Sequence, residues 1–106
     1  MTLVESIYRV TLCFPSDERF GLTSQMRRSA VSVAANIAEG AGRNGRKEYA
    51  QFVGIAPCSA VELETLVELA ARLNLIADAT QLITEVGSVR MLATKLRNAL
   101  SALTVT

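Results

Sequence analysis

Apolar residues along this chain recur every three or four positions in four separated blocks, the spacing that lines up one face of an α-helix. Leu3, Ile7, Val10 and Phe14 make the first stripe, and Pro15 ends it. The stretch 15–22 is turn-like, with Pro, Ser, Asp and Gly. The Thr23 hydroxyl is then placed to cap the free amides of a second helix over residues 24–39. The ridge of that helix is Met26, Ala30, Val33 and Ile37, and Gly40 with Gly42 stops it as residues that tolerate positive φ.

The third block starts near Gly45 and runs to about Leu75, its face written by Phe52, Ala56, Ser59, Leu63, Leu66, Ala70 and Leu73. Pro57 lies inside it, removing an amide donor and crowding the preceding turn, so the pattern predicts one helix kinked around residues 53–57 in preference to two short ones. Asn74 can take the left-handed conformation at the helix end, and Asp78 with Gln81 resembles a capping box for the last helix. Leu82, Val86, Val89, Ala93, Leu96, Leu100 and Leu103 then form a heptad-like stripe that belongs to a core or an interface.

No segment alternates as a strand would, and each connection is short enough to join antiparallel neighbours. The prediction is an all-α, up-down-up-down antiparallel four-helix bundle, a single domain over residues 1–106, with a short first helix and a kinked third. About a dozen residues give the first helix roughly 18 Å, whereas the third is more than twice as long. Parts of the longer helices are left without a partner, which predicts association through an exposed apolar patch.

Composition narrows the chemistry. The chain contains no histidine, so the commonest general base and the commonest zinc ligand are both missing, and the Glu-x-x-His pairs of a di-iron bundle cannot form. No catalytic residue, metal or cofactor is implied, and the expectation is a protein that is not an enzyme. Cys13 and Cys58 form no CxxC pair, and the start is not signal-like, which favours a reducing, cytoplasmic setting. Both cysteines read as small buried apolar residues. No apolar run approaches the roughly 20 residues that span a bilayer.

Charge is unevenly distributed under a formal net of +1. Between Phe20 and Lys47, Arg27, Arg28, Arg43, Arg46 and Lys47 stand against Glu39 alone, a net of +4. Between Glu48 and Glu85 six acidic residues face only Arg72, a net of −5. The five basic residues are candidate phosphate contacts, with Arg43, Arg46 and Lys47 favoured because a glycine turn and a following helix N-terminus also suit anions. Solvated charge and salt bridges to the acidic third helix are the competing reading. Gln25, Ser29, Ser32, Asn36 and Glu39 form a polar stripe beside the apolar ridge, suited to close helix approach and to fixing register or subunit contacts. Glu62 and Glu64 point about 200° apart on a helix, so they read as partners for arginines, with Glu62 reaching toward the core side, and not as an acid/base pair. Glu68 and Arg72 have the spacing of a favourable helical ion pair.

The run FPSDERFGLTSQMRRSAVSVAANIAEGAGRNGRKEYAQF, with the glutamates of AVELETLVELAARL, resembles the four-helix-bundle proteins encoded by intervening sequences in bacterial 23S ribosomal RNA genes. That family includes the accessory variability determinant of diversity-generating retroelements, a pentameric barrel that binds nucleic acid and a reverse transcriptase. The likeness is carried by Gly21 to Gln25, Arg27-Arg28, Asn36 to Gly40, Gly42-Arg43, Arg46 to Glu48, and Glu62 with Glu64, and it covers the chain best from Tyr8 to Leu75. It departs at Gly45, where members commonly have Ser and the capping box with Glu48 is therefore weaker, at Pro57, and in a first helix that is short and lacks an aromatic anchor. The resemblance implies a homo-oligomer, a pentamer by analogy. It implies a scaffold or adaptor that contacts RNA or DNA non-specifically through the basic residues, with a protein partner such as a polymerase as the alternative.

Overall fold

The first stripe folds as α1, Thr2–Thr11, in a computed structural model that describes residues 2–18, 20–43 and 45–104, with side chains to residue 102. A short 3-10 turn, Ser16–Glu18, leads to α2, Leu22–Ala41. The third block folds as α3, Arg46–Val53, and α4, Ile55–Arg72, joined through Gly54, and the chain ends with α5, Thr80–Thr104. No strand occurs among the described residues. Counting α3 and α4 as one bent helix, the architecture is the predicted four-helix bundle.

The bend has the expected cause. Pro57 has no N–H for the Val53 carbonyl, and its ring crowds that carbonyl, so the helical ladder is interrupted there. Gly54 keeps a right-handed φ of −63° at the junction and donates to the Ala50 carbonyl at 2.9 Å, so the chain turns without leaving the helical sense.

The helix ends agree with the sequence in part. Asn74 takes a φ of 61°, with Leu75 N–H on the Ala70 carbonyl at 2.9 Å and Asn74 N–H on the Ala71 carbonyl at 3.0 Å, the paired bonds of a Schellman ending. Asp78 accepts from the Thr80 backbone N–H at 3.0 Å at the start of α5, while Gln81 is exposed and returns no bond. Thr23 does not cap α2: the helix begins a residue earlier at Leu22, and Thr23 is buried in its first turn. Gly40 and Gly42 do not end α2 through positive φ. Gly42 sits at −83°, and Gly40 lies where a Cβ would come within 3.0 Å of the Tyr49 carbonyl, so it permits close approach of α2 and α3. The left-handed glycine is Gly45, at φ 99°, and it forms no side-chain cap with Glu48.

The core divides along the long axis. In one half Leu3, Ile7, Met26, Leu63, Val67, Leu82 and Val86 fill the space among α1, α2, α4 and α5. In the other, Val33, Ala56, Ala60 and Ala93 form a small-residue cluster with Ile37 and Val89 against it. α1 is too short to reach this second half, and alanines let the remaining helices close on one another there. The stripe of α5 is buried at Leu82, Val86, Ala93 and Leu100 and half-buried at Val89 and Leu96; the Leu103 side chain lies outside the described residues. Both cysteines are exposed, contrary to expectation, because Cys13 follows the end of α1 and Cys58 faces away from the seams.

Candidate functional site

The five basic residues separate by role once their neighbours are seen. Arg27 belongs to the fold: its Nε donates to Thr11 Oγ1 at 2.9 Å, and its guanidinium lies 4.6 Å from the centre of the Tyr8 ring, so it ties α2 to α1. Thr11 in turn donates to the Ile7 carbonyl at 2.7 Å, which fixes the acceptor. Arg43 pairs with Glu39 at 2.5 Å and covers the Phe52 ring at 4.9 Å. Both ends of that ion pair are exposed, where such pairs are worth about 0.5 kcal/mol, so Arg43 is readily available to another anion. Arg28, Arg46 and Lys47 are exposed and make no ion pair or side-chain hydrogen bond among the described residues.

The structure brings Arg27 and Arg28 beside two aromatic residues that the sequence reading passed over. Tyr8 from α1 and Phe20 from the turn before α2 line an open groove of about 660 Å³ with Ser24, Arg27, Arg28 and Val31. Phe20 is 89% exposed and Tyr8 42%. The signal was present: Tyr8 lies off the apolar stripe of α1, and Phe20 stands in an otherwise polar turn. Arg43, Arg46 and Lys47 do not join this groove. They lie beyond the other end of α2, about 22 Å away along the helix for a 15-residue separation.

The polar stripe of α2 turns toward α4 only in its middle. Ser32 and Ser59 share a hydrogen bond of 2.8 Å across the α2–α4 seam, and Asn36 Nδ2 supports it by donating to the Ser32 carbonyl at 2.8 Å and to Ser32 Oγ at 3.2 Å. Ser29 is buried, whereas Gln25 and Glu39 are exposed. Glu64 reaches α5 and pairs with Arg90. Glu62 is exposed on the rim of the α2–α4 seam and is not turned to the core. Glu68 and Arg72 are both exposed and do not pair.

Four seams, α1–α5, α1–α2, α2–α4 and α4–α5, each carry a polar tie among the described residues. Ser6 donates to both Glu85 carboxylate oxygens, at 3.1 and 3.2 Å, between α1 and α5. Thr11 and Arg27 join α1 to α2, Ser32 and Ser59 join α2 to α4, and Glu64 and Arg90 join α4 to α5. No buried side-chain polar atom is left unbonded among the described residues. No group of three or more His, Cys, Asp or Glu placed to hold a metal occurs among them either. No described helix is long and apolar enough to cross a membrane.

A bent antiparallel bundle with Arg27 and Arg28 beside Tyr8 at one end of α2, and Arg43 over Phe52 with Arg46 and Lys47 beyond the other, defines a small all-α protein with two basic surface regions. The chain belongs to the 23S rRNA-intervening sequence protein family, whose model matches residues 1–95. That match extends beyond the quoted motifs at both ends and takes in α1 and most of α5. No curated protein matches the chain.

Proposed function

We propose that this protein is a non-enzymatic helical scaffold that assembles with copies of itself and holds RNA or DNA through its exposed basic residues. The observation that carries the nucleic-acid half is the groove in which Tyr8 and Phe20 flank Arg27 and Arg28. A cationic surface with a solvent-facing ring is what an unpaired base stacks on, and such stacking is worth about 1–3 kcal/mol per base. A family defined by an intervening sequence of ribosomal RNA makes RNA the first ligand to test. The non-enzymatic half rests on a sequence without histidine.

Assembly is supported by apolar surface. Leu92, Leu73, Met91 and Val61 are more than half exposed, and a trough of about 410 Å³ lined by Leu3, Val4, Ala34, Ile37 and Val89 lies where α1 is too short to cover α2 and α5. The same trough favours a second reading, a module for a polypeptide partner without nucleic-acid contact.

Sedimentation at micromolar concentration and binding of a labelled single strand test the two halves separately. The expected results are a mass of several protomers and an affinity that falls about tenfold in Phe20→Ala, the loss of one stacked base. A clean monomer removes the scaffold. Absence of binding at low salt, together with a protein partner retained through nuclease and high salt, replaces the nucleic-acid reading by the second one.

A further inference from the structure

We infer that the outward face of α2 docks on the same face of a second copy of this chain, the two helices antiparallel, an inference that rests on the assembly reading above and names one contact within it. Arg28, Val31, Ala35, Ala38 and Glu39 are all exposed, and their spacing sets them on one side of the helix. Arg28 and Glu39 lie about three turns apart and return to within about 20° of each other around the helix axis. α1 and α4 pack against the flanks of α2 and leave this side uncovered.

Charge selects the occupant. The face has a cation at one end and an anion at the other, and no charged residue stands between Arg28 and Glu39 in the sequence. A two-fold axis midway between them turns the face onto itself, so that Arg28 meets the partner's Glu39 and Glu39 meets the partner's Arg28, the reciprocal pairing of an isologous contact. Both groups have the capacity for it. Arg28 makes no ion pair or side-chain hydrogen bond among the described residues. Glu39 holds Arg43 through Oε1 at 2.5 Å, and its Oε2 makes no bond among the described residues.

The middle of the face fits the same pairing. Val31 is 42% exposed, and beside it Ala34, Ala35 and Ala38, with Val4 of α1, line a hollow of about 290 Å³ in which every lining residue is apolar. The antiparallel register sets Val31 of each copy over the partner's Ala35, and side chains this small let two helix axes approach to about 8 Å. The contact also reshapes the basic surface. In this register the partner's Arg43 stands level with Ser24, which lines the aromatic groove, so that groove gains a cation from the far end of the other α2. The guanidinium of Arg28 has donors enough for both a carboxylate and a phosphate.

Sedimentation equilibrium over a concentration series, with the full chain, tests the contact. Arg28→Glu and Glu39→Arg are each expected to weaken self-association by about tenfold or more, because like charges then face each other at both ends of the contact. The double variant Arg28→Glu/Glu39→Arg recovers it. Ala35→Gln/Ala38→Gln fills the hollow with longer polar side chains and weakens self-association without a change of charge, and single-strand affinity falls with it. Circular dichroism checks that each variant folds. Self-association that ignores the single charge reversals, or a double variant no better than the singles, overturns this contact and leaves assembly to another surface. Strand affinity that Ala35→Gln/Ala38→Gln leaves unchanged overturns the shared basic groove. A chain that stays monomeric at every concentration overturns both this contact and the assembly reading.

Discussion

Arg27 and Arg28 are adjacent and chemically identical, yet the fold gives them different tasks. Arg27 makes a charge-assisted bond to a buried threonine and a ring contact to Tyr8, while Arg28 is exposed and has no partner among the described residues. Removing the first leaves Thr11 Oγ1 with its own donation to the Ile7 carbonyl but strips the tie between α1 and α2. Arg27→Ala is therefore expected to cost about 2 kcal/mol in urea unfolding, and Arg28→Ala less than about 0.5 kcal/mol. Equal losses contradict the division. The glycines make the same point. Gly87 has nothing within 4 Å of where a Cβ would stand, and Gly40 meets the Tyr49 backbone at 3.0 Å. Gly87→Ala should raise the unfolding free energy by about 0.5–1 kcal/mol, and Gly40→Ala should lower it by about 1–3 kcal/mol. The sequence reads Gly40 as a helix stop, and what fixes it in place is a neighbour nine positions away, Tyr49.

The elements themselves were legible. Periodicity located every helix, Pro57 marked the bend, and Asn74 marked a helix end, because each of these acts through its own backbone or its nearest turn. Helix starts were less legible. Thr23 has the chemistry of a cap, but tertiary packing draws it into the helix and buries it. The four polar ties across the seams were illegible for a plainer reason: Ser6 and Glu85 are 79 positions apart, and the other pairs are separated by 16, 27 and 26. Composition does not say which serine meets which carboxylate. The α5 start does carry a testable pH dependence. Asp78 is held below the ordinary carboxylate range by the hydrogen bond from the Thr80 backbone and then by the Thr80 side chain. A carboxyl depressed in the folded state stabilises the fold above its unfolded pKa, and that contribution disappears as pH falls through the folded value. The thermal midpoint of the protein should exceed that of Asp78→Ala near pH 6, and the gap should close on acidification toward pH 2. A gap that widens on acidification has the wrong sign.

At the scale of the molecule, shape governs what the charges can do. The bundle measures 50 × 22 × 18 Å, and its radius of gyration of 14.9 Å exceeds the roughly 13 Å of a compact chain of this length. A rod of this size exposes more apolar surface than a sphere, which is the physical ground for expecting assembly. It also keeps the two basic ends of α2 about 22 Å apart, nearly three Debye lengths at physiological ionic strength. They act as independent patches on one protomer, and a strand gains from both only by running along the helix between them or by crossing to a neighbouring copy. The sequence showed the +4 segment but not this separation, nor that Tyr8 and Phe20 stand at only one of its ends. The most direct test is the salt dependence of single-strand binding, measured for the protein and for Arg28→Ala. Phosphate contacts by Arg28, Arg46 and Lys47 give a slope of log Kobs against log salt of about −2, and loss of Arg28 makes it shallower by about 0.7. A slope near zero, or one that Arg28→Ala leaves unaltered, contradicts a nucleic-acid surface at this end of the bundle.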